Sequence, residues 1–316
     1  MQILFLTNNF QKYSIALENA ISKNCLTKLK VTCSEGMEPD KVKFIIFEQV
    51  GDKEGGLNVD FSRFINNLGI FSLWAGVDQL VKNTSIKSTP IIRMVDENLT
   101  RGMVEWCIAH TMRIHLNLDK YILGQDGIWR HNVKPSLAKD KSIGILGLGK
   151  LGSEVAITLK NLGFQIYGWS RQKKNLKGID CQFGIDGFHK VLRNSNILIM
   201  LLPLTDQTNE ILNIQTIKSL PKNAVILNPG RGELINERAL LYYINSGHLA
   251  HATLDVFNQE PLPSSHPFWI HPKILVTPHI AATTQAVSAA DNIIKNIKRM
   301  LLNQKPIGLV DMKTRY

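Results

Sequence analysis

Short aliphatic and β-branched runs alternate along this chain with longer stretches whose apolar positions recur every three to four residues. In the first third the runs that predict strands are Ile3–Thr7, Leu29–Thr32, Val42–Phe47, Ile70–Trp74 and Ile91–Val95. A second series begins near residue 142 with Ile143–Leu146, Gln165–Trp169, Ile197–Leu202, Val225–Asn228, Ala252–Phe257 and Ile274–Thr277. Between them Gly152–Leu162 and Glu237–Ile244 carry the period of surface helices. Strand runs that are apolar throughout, separated by helix-length segments, indicate parallel sheets with crossover helices. The fold class is therefore α/β, with a separate βα domain ahead of a Rossmann unit that starts mid-chain. The apolar stretch from Leu99 to about Leu123 predicts one long buried helix joining the two series. Ala289, Ile293, Ile297, Met300 and Leu301 predict a closing helix that either domain could own. No internal repeat, low-complexity tract or Pro/Gly/Ser-rich linker interrupts the pattern.

Composition narrows the classes. With 316 residues, 44% of them hydrophobic and 20% charged, the chain can fill two cores and is not a disordered segment. Its longest apolar stretch, Ile197–Leu202, is too short to cross a bilayer. The start, Met1–Leu6, lacks a basic segment before its apolar run and reads as a first strand, not a signal peptide. Cys25, Cys33, Cys107 and Cys181 form no CxxC pair and have no His cluster at ligand spacing, so no metal is expected. Reduced thiols of this kind point to a cytoplasmic location. The net charge of +11 favours anionic ligands. Its basic residues are scattered rather than packed among aromatics, which argues against nucleic acid as a partner.

The strongest motif opens the second series. Ser142–Leu146 runs into Gly147-Leu148-Gly149-Lys150-Leu151-Gly152 and then a helical segment, which is strand, G-x-G-x-x-G, helix. The first glycine permits the tight turn, the second lets a pyrophosphate approach the backbone, and the third lets helix and strand pack closely. Phosphates would rest on the helix N-terminus, where free N–H groups and the dipole favour anions. The second strand ends in Ser170-Arg171-Gln172-Lys173, where NAD enzymes place an acid for the ribose 2′-hydroxyl. A hydroxyl with Arg171 and Lys173 would instead bind a 2′-phosphate. NADPH is thus preferred as cofactor, with NADH possible; an exposed basic turn is the plainer alternative.

Three polar groups follow three late strands: Arg231 in Asn228-Pro229-Gly230-Arg231-Gly232, Glu260 in Asn258-Gln259-Glu260-Pro261, and His279 in Thr277-Pro278-His279-Ile280. Singly, each reads as well as a surface base, a solvated turn acid or a packed loop histidine. Jointly they fall at the carboxyl edge of one sheet, where ligands bind in open α/β folds. Reducing a 2-keto acid needs a carboxylate anchor, a proton donor and a fixed hydride donor. Arg231 offers the planar fork. His279 can donate a proton near neutral pH, and Glu260 can orient its ring.

With these motifs the chain resembles the D-2-hydroxyacid dehydrogenases, in their NADPH-preferring glyoxylate/hydroxypyruvate reductase branch. The resemblance is carried by Ala75-Gly76-Val77-Asp78, Leu99–Glu105, Gly144–Gly152, Leu202-Pro203-Leu204-Thr205 and the Arg231, Glu260 and His279 stretches. It implies that Arg231, Glu260 and His279 are catalytic and that Trp74, Ala75, Gly76 and Arg231 hold the substrate, with backbone N–H groups binding its carboxylate. It also implies that Leu202, Pro203, Thr208, Pro229 and Asp255 line the cofactor. A flavodoxin-like substrate domain of residues 1–98 and 287–316 around a Rossmann cofactor domain of residues 99–286 is implied too. So is a homodimer built through the long helix and the Gln125–Trp129 arm. Trp74 and the segment Phe47–Asp52 depart from the branch pattern near the expected substrate, which bears on substrate identity. Glyoxylate or hydroxypyruvate is the expected substrate. The alternatives are another 2-keto acid, or a non-catalytic dinucleotide sensor akin to the corepressors that share this fold.

Overall fold

The computed structural model describes residues 1–7, 9–33, 37–48, 59–122, 124–129 and 136–314. The chain begins with β1 (Gln2–Leu6), α1 (Phe10–Lys23), β2 (Lys30–Thr32), β3 (Val42–Phe47), β4 (Gly69–Ser72) and β5 (Ile91–Ile92). Helices α2 (Glu97–His115) and α3 (Leu118–Ile122) lead to β6 (Ser142–Leu146), α4 (Lys150–Asn161), β7 (Gln165–Trp169) and β8 (Asp180–Gln182). Next come α5 (Gly184–Arg193), β9 (Ile197–Met200), α6 (Ile214–Lys218), β10 (Ala224–Asn228) and α7 (Glu237–Asn245). The chain continues through β11 (Leu249–Leu254) and β12 (Ile274–Val276) to α8 (Ala286–Leu301). Two compact units result, one of residues 1–99 and 283–316, the other of residues 100–282.

The first unit holds a parallel sheet in the order β2-β1-β3-β4-β5. The order reverses between β1 and β3, the flavodoxin-like arrangement, and such a reversal opens a crevice at the carboxyl edge. Leu4, Ile45, Phe47 and Ile70 pack one face against Phe61, Phe64 and Leu80. Helices α1 and α8 pack side by side. The predicted stripe of α8 is buried at Ala289, Ile293 and Ile297, within the first unit.

The second unit holds a parallel sheet in the order β12-β11-β10-β9-β6-β7-β8, reversing between β6 and β9. One face is covered by α5, α6 and α7, whose Phe188, Val191, Ile217, Leu240 and Ile244 join a single core. The other face carries α2 and α4 through Met103, Trp106, Cys107, Val155 and Leu159. Strands β9 and β10 are buried along their whole length, which is why their sequences do not alternate.

Several expectations need correction. The helix expected from Leu99 to Leu123 stops at His115, because Asn117 adopts φ 53° and turns the chain before α3 begins. Asparagine tolerates this left-handed conformation better than most residues. Leu123 and Gln49–Asp52 of the divergent substrate segment lie outside the described residues. Strands β4 and β9 end two residues early, at Ser72 and Met200, since the chain there leaves the ladder to form carboxyl-edge loops. The edge strand β8 was not anticipated; its three residues are too few to show a period, and they pair with Tyr167–Trp169. Among the described residues no helix is long and apolar enough to cross a membrane.

Where α2 crosses β11 the core is polar. His251 Nε2 lies 2.8 Å from Arg113 Nη2. A guanidinium only donates, so Nε2 is the acceptor and the ring proton sits on Nδ1. Arg113 also donates to Thr253 Oγ1 at 3.1 Å and pairs with Asp119 at 3.2 Å. Burial lowers the His251 pKa to about 4, helped by Arg113, His110 and His271 and opposed by Asp119. The unfolded chain therefore binds more protons than the folded one between about pH 6.5 and 4, so stability is complete above that window and falls through it on acidification. The loss attributable to His251 reaches at most about 3 kcal/mol at pH 4. In His251→Gln, which keeps an acceptor but cannot titrate, thermal unfolding should depend less on pH across this window. Equal slopes for both proteins would remove His251 from the account.

Candidate active site

The glycine-rich turn has the geometry its sequence requires. Gly147 adopts φ 105°, and a Cβ there would stand 2.4 Å from the Leu201 carbonyl oxygen. Its N–H donates to the Trp169 carbonyl at 2.8 Å, tying the turn to the end of β7. A Cβ on Gly152 would lie 1.8 Å from the Gly147 oxygen, so helix α4 can approach β6 only with glycine there. Gly149 caps α4 without a side chain, and the first turn of that helix has no acid. Its N-terminal N–H groups and dipole are therefore suited to phosphate. Leu148 is buried in the core and offers only its backbone, while Lys150 is exposed and pairs with Glu154 at 3.5 Å. Leu151 is half-buried one residue before the last glycine.

At the end of β7, Ser170 is buried and its hydroxyl donates to the Gln172 carbonyl at 2.7 Å. Ser170 thus shapes the basic turn, and the exposed Arg171 and Lys173 are left as its cationic surface. Beyond β9, Leu202 is buried and Pro203 half-buried. The Thr208 hydroxyl donates to the Pro203 carbonyl at 2.7 Å and accepts from the Thr205 N–H at 2.8 Å, closing this loop on itself. Sequence reasoning had set Thr208 at the cofactor; within the protein its hydroxyl is the clasp of the loop.

Three neighbouring loops carry the polar constellation. After β10, the buried Asn228 accepts from the Gly230 N–H at 3.1 Å and donates to the Arg231 carbonyl at 2.8 Å, which fixes the turn through the buried Pro229. Arg231 Nη1 donates to the Gly230 carbonyl at 2.7 Å. A Cβ on Gly232 would fall 2.1 Å from the Phe257 carbonyl carbon, so this glycine lets the Arg231 loop lie directly against the chain leading to Glu260. Glu260 Oε1 accepts from the Phe257 N–H at 2.8 Å, and Oε2 lies 2.7 Å from His279 Nδ1. A carboxylate anchored at one oxygen holds the imidazole with the other.

His279 stands on a turn with φ 55°, an uncommon conformation for any residue with a side chain. Asp255 maintains it. The Asp255 carbonyl accepts from the His279 N–H at 2.8 Å. Its carboxylate accepts from the Ile280 N–H at 3.0 Å, the Ala281 N–H at 2.8 Å and the Thr277 hydroxyl. Burial pushes the Asp255 carboxyl above the usual carboxylate range, against the opposing pull of Thr277, Ile280, Ala281 and His279. Asp255 was expected at the cofactor; it is fully buried, with both carboxylate oxygens occupied by the turn that bears His279. Sequence reasoning missed this duty and that of Asn228. The available signal was a short polar residue ending an otherwise apolar strand.

In the first unit the loop after β4 contains Trp74, Ala75 and Gly76, all half-buried. The Trp74 N–H donates to Ser72 Oγ at 3.1 Å, and the Trp74 carbonyl accepts from Met94 at 3.0 Å. Among the described residues nothing accepts from the Ala75 or Gly76 N–H. Consecutive backbone N–H groups without a protein partner are available to bind an anion.

Comparison with known proteins agrees with this geometry. The family model for the NAD-binding domain of D-isomer specific 2-hydroxyacid dehydrogenases matches residues 106–281. The glyoxylate/hydroxypyruvate reductase A of Yersinia enterocolitica is 39% identical over 254 residues, 78% of this chain and 81% of the relative. That of Serratia proteamaculans is 38% identical over 255 residues, again 78% and 81%. A D-isomer specific 2-hydroxyacid dehydrogenase from Xanthobacter autotrophicus Py2, solved with NADPH and MES, superposes with a TM-score of 0.91 at 31% identity over 100% of this chain and 99% of that one. The NADPH-dependent glyoxylate/hydroxypyruvate reductase of Sinorhizobium meliloti, solved with NADP and sulfate, gives 0.89 at 28% identity over the same shares. Two parallel sheets that each reverse their strand order, a glycine-rich βα turn and this family match lead to one assignment: the chain belongs to the D-isomer specific 2-hydroxyacid dehydrogenases.

Proposed function

We propose that the protein reduces glyoxylate or hydroxypyruvate to the corresponding D-2-hydroxy acid with NADPH. The observation that carries this reading is the Glu260–His279 pair at 2.7 Å on the turns that follow β11 and β12. When bound, NADPH supplies a hydride to C2 of the keto acid. The turn from Gly147 to Gly152 and the N-terminus of α4 hold its pyrophosphate, and Arg171 with Lys173 bind its 2′-phosphate. Leu202, Pro203 and Pro229 border the dinucleotide.

The chain's own residues do the rest. Ala75 and Gly76 N–H groups bind the substrate carboxylate, next to Trp74. The Arg231 fork binds carboxylate and carbonyl oxygens and stabilises negative charge as it develops on the latter. His279 gives that oxygen its proton from Nε2, since Nδ1 faces Glu260. Glu260 keeps the ring oriented. NADPH and a proton are consumed, and NADP and the hydroxy acid leave.

We further propose that the enzyme is a cytoplasmic homodimer joined through α2 and the arm after α3. The residues that follow α2 carry exposed apolar side chains, with Ile122 64%, Ile128 65% and Trp129 89% accessible, as an unmade interface would. Residues 1–98 with 287–316 are proposed as the substrate domain and 99–286 as the cofactor domain, a reading supported by the two compact units of residues 1–99 with 283–316 and 100–282.

Purified protein offered NADPH and a panel of 2-keto acids should oxidise the cofactor with glyoxylate or hydroxypyruvate, and His279→Ala should lower kcat by at least about a hundredfold. Turnover that survives in that variant puts the proton donor elsewhere, and a wild-type protein inert to every acid favours a dinucleotide sensor. Arg171→Glu should raise KM for NADPH and spare NADH; an equal change in both rejects the phosphate contact. Sedimentation should return twice the chain mass, and a monomer at micromolar concentration excludes the dimer.

A further inference from the structure

Thr284 lies in the segment where the chain returns to the first unit, yet its buried hydroxyl reaches a residue 211 positions away. Its Oγ1 donates to the Leu73 carbonyl at 2.6 Å, and both residues are buried. On the far side of the same peptide bond the Trp74 N–H donates to Ser72 Oγ at 3.1 Å. A peptide unit is a rigid plane whose C=O and N–H point opposite ways. A bond to each of them stops its rotation. The following plane is held too, because its carbonyl, that of Trp74, accepts from the Met94 N–H at 3.0 Å. The next donors along the chain are the Ala75 and Gly76 N–H groups.

We propose that Thr284 is a positioning residue for substrate: by clamping the Leu73–Trp74 plane it keeps the Ala75 and Gly76 N–H groups aimed at the keto acid's carboxylate. The inference rests on the substrate-loop reading above. Leu73 is fully buried, so loss of the hydroxyl leaves its carbonyl without a partner and without access to bulk water. The plane then rotates or the loop shifts, and the aim of the amides is lost. Binding of the substrate anion suffers, whereas the dinucleotide turn and the Glu260–His279 pair belong to the other unit.

The test uses the full-length enzyme with Thr284→Val, which removes the donor, and Thr284→Ser, which retains it. Steady-state kinetics would be measured with hydroxypyruvate and NADPH varied in turn, alongside hydrogen exchange of peptides covering residues 72–78. Thr284→Val should raise KM for the keto acid about tenfold, the effect of one lost hydrogen bond. Its kcat should stay within about threefold and its KM for NADPH unchanged, with faster exchange in the loop. Thr284→Ser should restore both readouts. A valine variant with wild-type kinetics, one that loses both KM values and kcat alike, or a serine variant no better than valine overturns the inference. If the valine variant does not fold, Ser72→Ala releases the other side of the same plane and should raise the keto-acid KM alone; no effect overturns the proposal. Should the wild type reduce no 2-keto acid, the functional reading fails and exchange decides alone. Faster loop exchange in valine but not serine then upholds the clamp, and unchanged exchange overturns it.

Discussion

A buried carboxylate ties together the part of the molecule on which the chemistry depends. Asp255 leaves the end of β11 fully buried, where an unpartnered charge would cost several kcal/mol. Two backbone N–H groups and the Thr277 hydroxyl satisfy it, all from the turn that bears His279. Those bonds hold the turn in which His279 adopts φ 55°. Glu260 then meets a ring whose backbone is already fixed, and one carboxylate orients the imidazole because another orients its main chain.

The same economy recurs in the neighbouring loops. Asn228 closes the Arg231 turn at the end of β10, Thr208 closes the loop after β9, and Gly232 removes the Cβ that would hold the Arg231 and Glu260 loops apart. Each device sits where a parallel strand ends and the ladder no longer satisfies the backbone. These hydrogen bonds fix the loops at that edge, which a site built from three distant stretches of chain would demand. The polar knot of Arg113, His251 and Thr253 secures β11 from the α2 side, two residues before Asp255.

Phosphate recognition is arranged more simply. In the proposed function the glycine turn would supply space and helix N–H groups, and the basic turn after β7 would supply cations in a chain whose overall charge is +11. There the Gly147 N–H is tied to the Trp169 carbonyl, and phosphate is drawn by field as well as by contact. Transfer of a hydride and a proton to one carbonyl is far less tolerant of displacement. The denser network of hydrogen bonds lies accordingly on the side of β10, β11 and β12.

Local chemistry in the sequence determined a good deal. Apolar runs located every strand but β8, and in β9 and β10 burial on both faces leaves a continuous apolar signal. The G-x-G-x-x-G spacing determined the turn from Gly147 to Gly152, because steric need for glycine is a property of single positions. The order of polar residues after late strands marked Arg231, Glu260 and His279 as candidates, and the roles proposed for them come from the family resemblance. Tertiary structure alone decided where the long helix breaks, what Asp255, Thr208 and Ser170 are bonded to, and that Thr284 reaches Leu73. Those facts depend on which local partner a short side chain meets once the loop is folded, on hydrogen bonds between residues as distant as Leu73 and Thr284, or on the rotation of one peptide plane. A short polar side chain looks the same in sequence whether it faces a ligand or fastens the loop that will.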